Sequence, residues 1–581
     1  MEEVKISGIW TIGKVEYKGE LYIIKKKKII RLVLQTKEVN AFFEDEEFPN
    51  KIDLINGITF LNKIDISLLN CRTLRKNTNL NTGITTYLID CRYCIYGLKF
   101  KNYDNVLFNK LQIRLTNTLE WSTLSGFSSK RNKKIIENIS YSFKKKVNYD
   151  INENIRLEIV PCFGGGTFYL NSERIVLKQH INIYFICKRQ EKFNVIIKEL
   201  EKLIALIEFS TKQKVNIIEI KGYKNSKFYK YTDIKRRRYI DYRIYFSKEV
   251  EENYDNDEID RRYLILNCNL KQICDVNGLK NWYKKYEKLR PIVNLYRKNI
   301  ANYENYDEIP IEEVFINLMK ALEIYHTIFV VDKLDEYNNL ITTKLQSALP
   351  ENKKLIKEFI YDDIQIKEDY ILLKNRLLHL FMESLPISYF ENFSNILNFI
   401  NSITDTRHYY THYSRSKKYK ALKGFELSIS NIILQDLLES YILKEIGFQN
   451  EYIQNHRKNS FVNLKKVEIP VKEEQYIEQY KKINLCTSIE NILRIVINEY
   501  NLGEYFNYNI ETGHDTNDLY VLVKTKESRS YIIRLLSKHK TEECCNEIIS
   551  KDKRNLICTK KNYYTVYYFY GKYRILIYKN K

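Results

Sequence analysis

The chain has 581 residues, of which 44% are hydrophobic and 29% are charged. These fractions are typical of a globular protein and exclude wholesale disorder. Glycine (17 residues) and proline (7 residues) are scarce, which excludes collagen-like and low-complexity architectures. At about 100–200 residues per domain, the length predicts about three to five domains.

The positive charge of the chain points to a polyanionic partner. The 95 Lys and Arg outnumber the 73 Asp and Glu, and the formal net charge is +22. Such a surplus favours binding to a nucleic acid or to an anionic membrane face. The first residues lack a basic region followed by an apolar one, and no uncharged apolar run approaches the ~20 residues that span a bilayer. We therefore expect a nucleic acid as partner and no membrane segment.

The 11 cysteines are spread over the whole chain, and no secretory signal is apparent. This pattern predicts a reduced, cytoplasmic location. Cys91 and Cys94 form the only Cys-x-x-Cys pair, but a structural zinc site needs two more ligands at comparable spacing. Cys71 and Cys162 are not arranged in that way, so we expect ordinary packing, with no metal and no cofactor.

The first part of the chain, 1–190, is predicted to be β-rich. Short β-branched and aromatic runs lie between polar breaks, at 9–12, 21–24, 29–34 and 181–187. The period then changes, and apolar residues recur at helical spacing over 193–210. Strand character returns at 214–221 and 263–267.

From Leu279 to Gly447 the pattern is helical almost continuously. An apolar stripe covers 314–329, and further helices are predicted at 369–384, 389–403 and 425–446, the last ending at the glycine. A polar break, Thr404-Asp405-Thr406, predicts that another helix begins around Arg407. These segments predict an all-α bundle.

The tail, 466–581, mixes a predicted helix at 488–499 with strand-like runs at 519–523 and 563–578. The fold class is therefore α+β multidomain. We predict a β-rich domain over 1–290, an all-α domain over 305–448 and a small α+β appendage over 466–581, to which we assign no role.

One strand resembles part of a nuclease site. In segment 215–221, Glu219 and Lys221 form a Glu-x-Lys pattern on an apolar strand, as in metal-dependent endonucleases. Such sites also need an upstream aspartate to hold the cation, and no aspartate occurs between Asp150 and Asp233. A metal-dependent nuclease is therefore the lesser alternative.

The helical region holds four of the eight histidines: His326, His379, His408 and His412. Arg407 precedes the last of them by five residues. Metal-free RNA cleavage needs a group that transfers protons and a cation that stabilises charge on the phosphoryl group. Histidine suits the first task because its reference pKa is near 6.5, and arginine suits the second because it donates bidentately. Five helical residues turn by about 500°, leaving the two Cα atoms about 140° apart. The arginine and the last histidine would converge only through the reach of the arginine or across a symmetric interface.

Two other interpretations of this segment stay open. It could be an exposed amphipathic helix without chemistry. Alternatively, His408 and His412 lie on one helix face at i, i+4 and could share a metal ion. Asp405 is the only nearby carboxylate and no cysteine is close, so this ligand set is incomplete.

Segment 404–413 resembles the Arg-x4-6-His signature of HEPN-domain ribonucleases, and its surroundings resemble the ApeA-type anti-phage proteins among them. Upstream, 315–326 matches the pattern F-x-x-L-x-x-A-L-E-x-x-H of the opening helix of that domain. The N-terminal part resembles the β-rich domain of the same family at 8–10 and 119–126, and 279–287 resembles the segment before the helices. The resemblance covers about 1–448.

The resemblance implies a role for individual residues. Arg407 and His412 match the catalytic pair. His408 occupies the polar position after the arginine, which often takes part in the site and where asparagine is commoner. Glu323 and His326 match a supporting pair on the first helix. The family usually builds this site at a two-fold interface without a metal, which implies a homodimer or a higher homo-oligomer.

Basic residues follow the candidate pair at Arg415, Lys417, Lys418 and Lys420. They could contact the RNA backbone, since sequence-independent affinity comes from phosphates. They could equally form a solvated surface, and both interpretations stay open.

The sequence and the resemblance together predict a metal-independent endoribonuclease that cleaves RNA through its 2′-OH. The resemblance implies abortive-infection defence, in which host RNA, for example tRNA, is cut after the sensor-like N-terminal domain detects a phage-derived trigger. The alternative from another class is a non-catalytic module that binds RNA or dimerises.

Overall fold

The computed structural model describes most of the chain up to residue 459 and five strands beyond it. The described residues are 3–25, 27–37, 48–79, 81–132, 135–165, 177–225, 239–247, 267–304, 310–347, 350–361, 371–384, 393–413, 420–459, 505–512, 519–525, 530–537, 563–567 and 573–580. The chain divides into two compact units, one of Met1–Thr211 with Val215–Asp275 and one of Lys212–Lys214 with Val276–Lys581.

The first unit consists mainly of antiparallel strands with alternating buried and exposed residues. Its described strands are β1 (Glu3–Ile12), β2 (Val15–Ile24), β3 (Ile29–Lys37), β4 (Lys51–Thr59), β5 (Asp65–Asn79), β6 (Ile84–Tyr96), β7 (Leu107–Leu115), β8 (Phe127–Asn132), β9 (Ile135–Tyr141), β10 (Val147–Asp150), β11 (Ile155–Gly165), β12 (Leu177–Lys192), β13 (Ile217–Asn225) and β14 (Tyr239–Phe246). Its described helices are α1 (Thr118–Ser122), α2 (Phe193–Thr211) and α3 (Leu270–Asp275). The prediction of a β-rich region with a helix over 193–210 is confirmed. The strand predicted at 263–267 lies outside the described residues, apart from Asn267.

Twelve of these strands form one sheet that partly closes on itself. The order is β10-β11-β12-β7-β13-β14-β6-β3-β2-β1-β4-β5, and β6 also pairs with β5. The additional pairing closes six strands, β1 to β6, into a ring. Trp10 is fully buried inside it and donates its indole N–H to the carbonyl of Gly19 at 3.2 Å. Opposite Trp10, Gly57 lets the indole lie directly against the backbone of β4, since a Cβ there would be 2.3 Å from the ring.

The Cys-x-x-Cys pair belongs to the core of this ring. Cys91 and Cys94 are fully buried, and Cys71 lies opposite Cys91 on the neighbouring strand. Burial raises the pKa of the Cys91 and Cys94 thiols, which keeps them protonated. Among the residues that the structure describes, no group of three His, Cys, Asp or Glu side chains could hold a metal ion.

The second unit contains the helical bundle. Its described helices are α4 (Gly278–Glu304), α5 (Ile311–Tyr325), α6 (Leu334–Ser347), α7 (Pro350–Tyr361), α8 (Leu373–Ser384), α9 (Phe393–His412), α10 (Gly424–Ile446) and α11 (Asn450–Asn459). A single turn of π-helix, His326–Val330, follows α5 and is called the π-turn below. Helix α10 packs against α4, α5 and α8, and buried aliphatic residues line it along most of its length.

Buried charge also fixes α10. Glu439 is almost fully buried and accepts hydrogen bonds from Lys212 (2.6 Å) and Tyr296 (2.7 Å). Burial alone would raise the pKa of Glu439, but the Lys212 charge and these hydrogen bonds hold it below its usual value. The helix ends at Gly447 with φ of 115°, which confirms the predicted glycine cap.

The predicted break at 404–406 is wrong. Helix α9 runs through it without interruption, so Arg407 lies near the end of a long helix and does not begin a new one. The two threonines explain the difference. Thr404 and Thr406 donate their hydroxyl hydrogens to the carbonyls of Ile400 and Ser402, four residues back, at 2.7 and 2.6 Å. The polar side chains are thereby satisfied within the helix.

The described C-terminal residues form an antiparallel five-stranded sheet. Its strands are β15 (Tyr505–Thr512), β16 (Leu519–Thr525), β17 (Ser530–Ser537), β18 (Tyr563–Tyr567) and β19 (Tyr573–Asn580), in the order β15-β16-β17-β19-β18. The predicted run 563–578 therefore comprises two strands. The helix predicted at 488–499 lies outside the described residues.

We expect Gly57→Ala to destabilise the first unit by about 1–3 kcal/mol, because the added methyl group would overlap the buried Trp10 indole. Thermal unfolding of the full chain, followed by tryptophan fluorescence, measures this effect. Gly164→Ala is the matched control, since a Cβ at that strand position meets only an ordinary contact at 4.0 Å. Equal unfolding temperatures for the two variants would contradict the tight packing of Gly57 against Trp10.

Candidate active site

Arg407, His408 and His412 lie in the last two turns of α9. The buried Thr406 anchors this end of the helix, because its hydroxyl oxygen accepts the backbone N–H of Leu422 at 2.9 Å. The chain that leaves α9 is thus tied back to it just before α10 begins. The three candidate side chains consequently project from a fixed helix end.

The Arg407 guanidinium is paired with the supporting glutamate that the resemblance singled out. Its Nη2 donates to Glu323 Oε2 of α5 at 2.7 Å. Both side chains are about one-third exposed, at 31% and 33%. An arginine has five N–H donors in a planar fork, so a bond to one carboxylate oxygen leaves it able to bind an anion as well. The ion pair fixes the arginine at the surface of the bundle.

The two histidines of α9 form a separate pair. The rings of His408 and His412 lie against each other in a tilted arrangement, with centroids 5.0 Å apart and planes inclined by 52°, and both side chains are exposed. Tyr413 then ends the helix in a left-handed conformation, with φ of 48°. Within one chain, Arg407 contacts α5 while His412 contacts His408. This division agrees with the angle of about 140° that separates residues five apart on a helix.

His326, the second supporting residue, lies away from the candidate pair. It is fully buried, and its Nδ1 lies 3.3 Å from Nη1 of Arg376 on α8. Its ring meets that of His379 edge to face, with centroids 5.3 Å apart. Glu323 and His326 are three residues apart, yet only Glu323 contacts Arg407. The structure therefore assigns His326 to the interior of the bundle.

Both buried histidines are held in the neutral form. Burial, reinforced by the charge of Arg376, lowers the pKa of His326 to about 3. Burial also lowers the pKa of His379 to about 4, although Glu383 opposes this shift. Arg376 can only donate, so its 3.3 Å contact is a hydrogen bond in the tautomer in which Nδ1 of His326 accepts.

The sequence prediction missed three residues around His326. Arg376 lies within the apolar stripe of α8 and is 7% exposed. It donates to the hydroxyl of Thr327 at 2.8 Å and lies 3.4 Å from the carboxylate of Asp332. The sequence did contain a signal for this cluster, namely a charged residue, Arg376, within an apolar stripe. Charged residues are rarely buried without partners, so this position indicates a polar cluster in the core.

The basic run after α9 is described only at its last residue. Lys420 is exposed in the turn that precedes α10. Arg415, Lys417 and Lys418 lie outside the described residues.

The nuclease-like pair on β13 lies among opposing charges. Glu219 is 3.4 Å from Lys221 of the same strand and 3.9 Å from Arg114 of β7. Two cations beside one carboxylate disfavour a divalent ion at that position. A strand of paired, alternating charges accounts for the Glu-x-Lys pattern.

None of the described helices is by itself long and apolar enough to cross a membrane. One pair, Ile311–Val330 with Leu334–Lys344, passes the test of length and composition only when both parts are taken together, and they are bent by 89°.

Two protein-family models match the chain. Residues 5–282 match the model of ApeA N-terminal domain 1, and residues 316–452 match the Apea-like HEPN model. The chain belongs to the ApeA family. No curated protein and no solved structure matches it. Family membership confirms the resemblance inferred from the motifs, together with the β-rich N-terminal region and the helical HEPN region.

The HEPN match contains Glu323, Arg407, His408 and His412. HEPN families are generally nuclease-related, so ApeA membership points to a ribonuclease-type role in anti-phage defence. The boundaries predicted at 1–290, 305–448 and 466–581 remain predictions.

We expect the free energy of unfolding to fall by about 2 kcal/mol between pH 6.5 and pH 5 on account of His326. Its pKa is about 3 in the folded chain, and the unfolded chain therefore binds more protons in this range. Stability is retained above pH 6.5 and is lost as the pH falls. In His326→Gln, an amide oxygen can still accept from Arg376 but does not titrate, so the loss should be smaller by about that amount. Urea unfolding at a series of pH values measures both chains, and an unchanged pH dependence in the variant would contradict the neutral buried histidine.

Proposed function

We propose that the chain is a metal-independent HEPN endoribonuclease that acts in abortive-infection defence against phage. The observation that supports this proposal is the arrangement at the end of α9. A guanidinium held by Glu323 and two exposed imidazoles, those of His408 and His412, belong to the last two turns of this one helix, within the HEPN match. A fixed cation and an accessible proton-transfer group are the two requirements of phosphodiester cleavage without a metal.

The proposed reaction is transesterification. The 2′-oxygen attacks the adjacent phosphorus and loses its proton, while the bond to the 5′-oxygen breaks and that oxygen gains a proton. The products are a 2′,3′-cyclic phosphate and a 5′-OH. His412 transfers a proton, and Arg407 stabilises the extra negative charge on the phosphoryl oxygens. His408, whose ring lies against that of His412, is the second candidate for proton transfer.

The site requires a second copy of the chain. Arg407 contacts α5 while His412 contacts His408, so one chain does not direct the two catalytic groups at a common point. We propose that a two-fold dimer brings the arginine and histidine sets of two copies together around one phosphodiester.

The remaining parts of the proposal concern partners and location. The exposed Lys420, together with Arg415, Lys417 and Lys418, would contact the RNA backbone through phosphates. The RNA is a host RNA, for example tRNA, and the N-terminal region responds to a phage-derived trigger. We place this activity in the cytoplasm, where the host RNA and the phage-derived trigger are both found.

We expect Arg407→Ala and His412→Ala each to lower the rate of RNA cleavage by about 10²–10⁴-fold, because each removes one of the two catalytic requirements. Sequencing of RNA 5′-OH ends after activation in infected cells measures the cleavage. Arg290→Ala is the matched control, since that arginine is 62% exposed on α4 and lies 4.0 Å from Glu287 of the same helix. Wild-type cleavage by both catalytic-site variants, with intact RNA binding, would favour the non-catalytic RNA-binding or dimerisation module.

We expect cleavage by the purified, activated protein to persist in excess EDTA, because the proposed groups are an arginine and histidines of the chain itself. Glu219→Gln should cleave as the wild type does, since Glu219 is paired with Lys221 and Arg114. Loss of cleavage both in chelator and in this variant would instead support the metal-dependent alternative.

A further inference from the structure

Arg376 is buried at the start of α8. A buried guanidinium is costly unless its donors are satisfied. Its donors meet His326 Nδ1 (3.3 Å), Thr327 Oγ1 (2.8 Å), the Val331 carbonyl (3.3 Å), Asp332 Oδ1 (3.4 Å) and the Ile371 carbonyl (3.2 Å). Four of these five acceptors belong to the short segment that follows α5. The arginine therefore binds one particular segment, through three of its side chains and one backbone carbonyl.

That segment consists of the π-turn and the two residues after it, Val331 and Asp332. The N–H of Val331 donates to the carbonyl of His326, five residues back, at 3.0 Å. Single π-turns are rare and occur frequently at functional sites. The last carbonyls of any helix also lack partners within it. Contacts from outside α5 therefore help to define the conformation of its end, and Arg376 supplies several of them.

Thr327 connects Arg376 to the residue that holds the proposed catalytic arginine. Its hydroxyl accepts from Nη1 of Arg376 and donates to the backbone carbonyl of Glu323 at 3.1 Å. The carboxylate of the same Glu323 accepts from Arg407 at 2.7 Å. A path of hydrogen bonds, joined through the covalent side chain of Glu323, thus runs from α8 through the end of α5 to α9.

We propose that Arg376 and Thr327 are positioning residues for Arg407, acting through Glu323. They hold the last turn of α5, so that the Glu323 carboxylate presents the guanidinium in one orientation toward the scissile phosphoryl group. This proposal rests on the ribonuclease function proposed above. Small displacements of a catalytic group are costly, since about 1 Å can lower a rate about 10²-fold.

Thr327→Val tests the path because it removes the hydroxyl and keeps the shape of the side chain. We expect kcat for RNA cleavage by the full-length protein to fall about 10-fold, with KM changed less than about 2-fold, because the loss affects the transition state rather than RNA binding. Thr327→Ser restores a hydroxyl and should recover most of the rate. A wild-type kcat in the valine variant would overturn the proposal.

Thr343→Val is the matched control. On α6, Thr343 also donates its hydroxyl hydrogen to a carbonyl four residues back, that of Asn339, at 3.0 Å, but it is exposed. Its kcat should equal that of the wild type. An equal fall in kcat in both valine variants would show that the loss of any such hydrogen bond within a helix lowers the rate. That result would contradict a specific role for Thr327.

A double-mutant cycle distinguishes positioning through Glu323 from general destabilisation. If Thr327 acts through Glu323, then Thr327→Val with Glu323→Gln should be no slower than Glu323→Gln alone. If the two effects multiply, Thr327 acts independently of Glu323 and the proposal is wrong.

Hydrogen exchange gives a readout that does not need RNA cleavage. In Thr327→Val, backbone amides of the last turns of α5 and of α9 should exchange faster than in the wild type, whereas Thr343→Val should leave them unchanged. If the wild type cleaves no RNA, the proposed function fails while this comparison still tests the path. Unchanged exchange at α9 in Thr327→Val would overturn the positioning role.

Discussion

The ion pair between Arg407 and Glu323 is the contact on which the candidate active site depends. It joins the ends of two helices, α5 and α9, that are 84 residues apart in the chain. Because both side chains are about one-third exposed, solvent screens the pair, and it adds little to the stability of the bundle. Its effect is on geometry, since a planar guanidinium bound at 2.7 Å has a defined orientation. The proposed chemistry needs that orientation more than it needs the binding energy.

A second constraint lies beneath this pair. Arg376, His326 and His379 are buried together, where uncompensated charge is costly. The histidines avoid the cost by staying neutral, and the arginine avoids it by donating to the π-turn. Polar groups in a core restrict its packing to arrangements that satisfy them, as long as the network is well connected. Histidine therefore has two roles in this bundle. Exposed His408 and His412 are accessible for proton transfer, whereas the buried pair contributes to the architecture.

In the first unit, residue patterns that bind metal ions in other proteins are part of the packing and of ion pairs. Cys91 and Cys94 pack in the core of the closed ring of strands, and Glu219 lies between two cations. The formal charge of +22 favours binding to polyanions, but it does not show which part of the chain binds them. Among the described residues, the observations that bear on phosphodiester chemistry come together at the end of α9, within the HEPN match.

The sequence alone determined the fold class, helix α2, helix α10 with its glycine cap, and the family motifs around Arg407 and Glu323. These features follow from periodicities and short spacings, which depend on neighbours along the chain. Only the tertiary structure decided that α9 continues through Thr404 and Thr406, that Glu323 faces Arg407 while His326 is buried, and that Arg376 binds the π-turn. The bonds to Arg376 and Arg407 join residues 49 and 84 positions apart. Local patterns carry no information about such pairings, because they arise only when the helices pack.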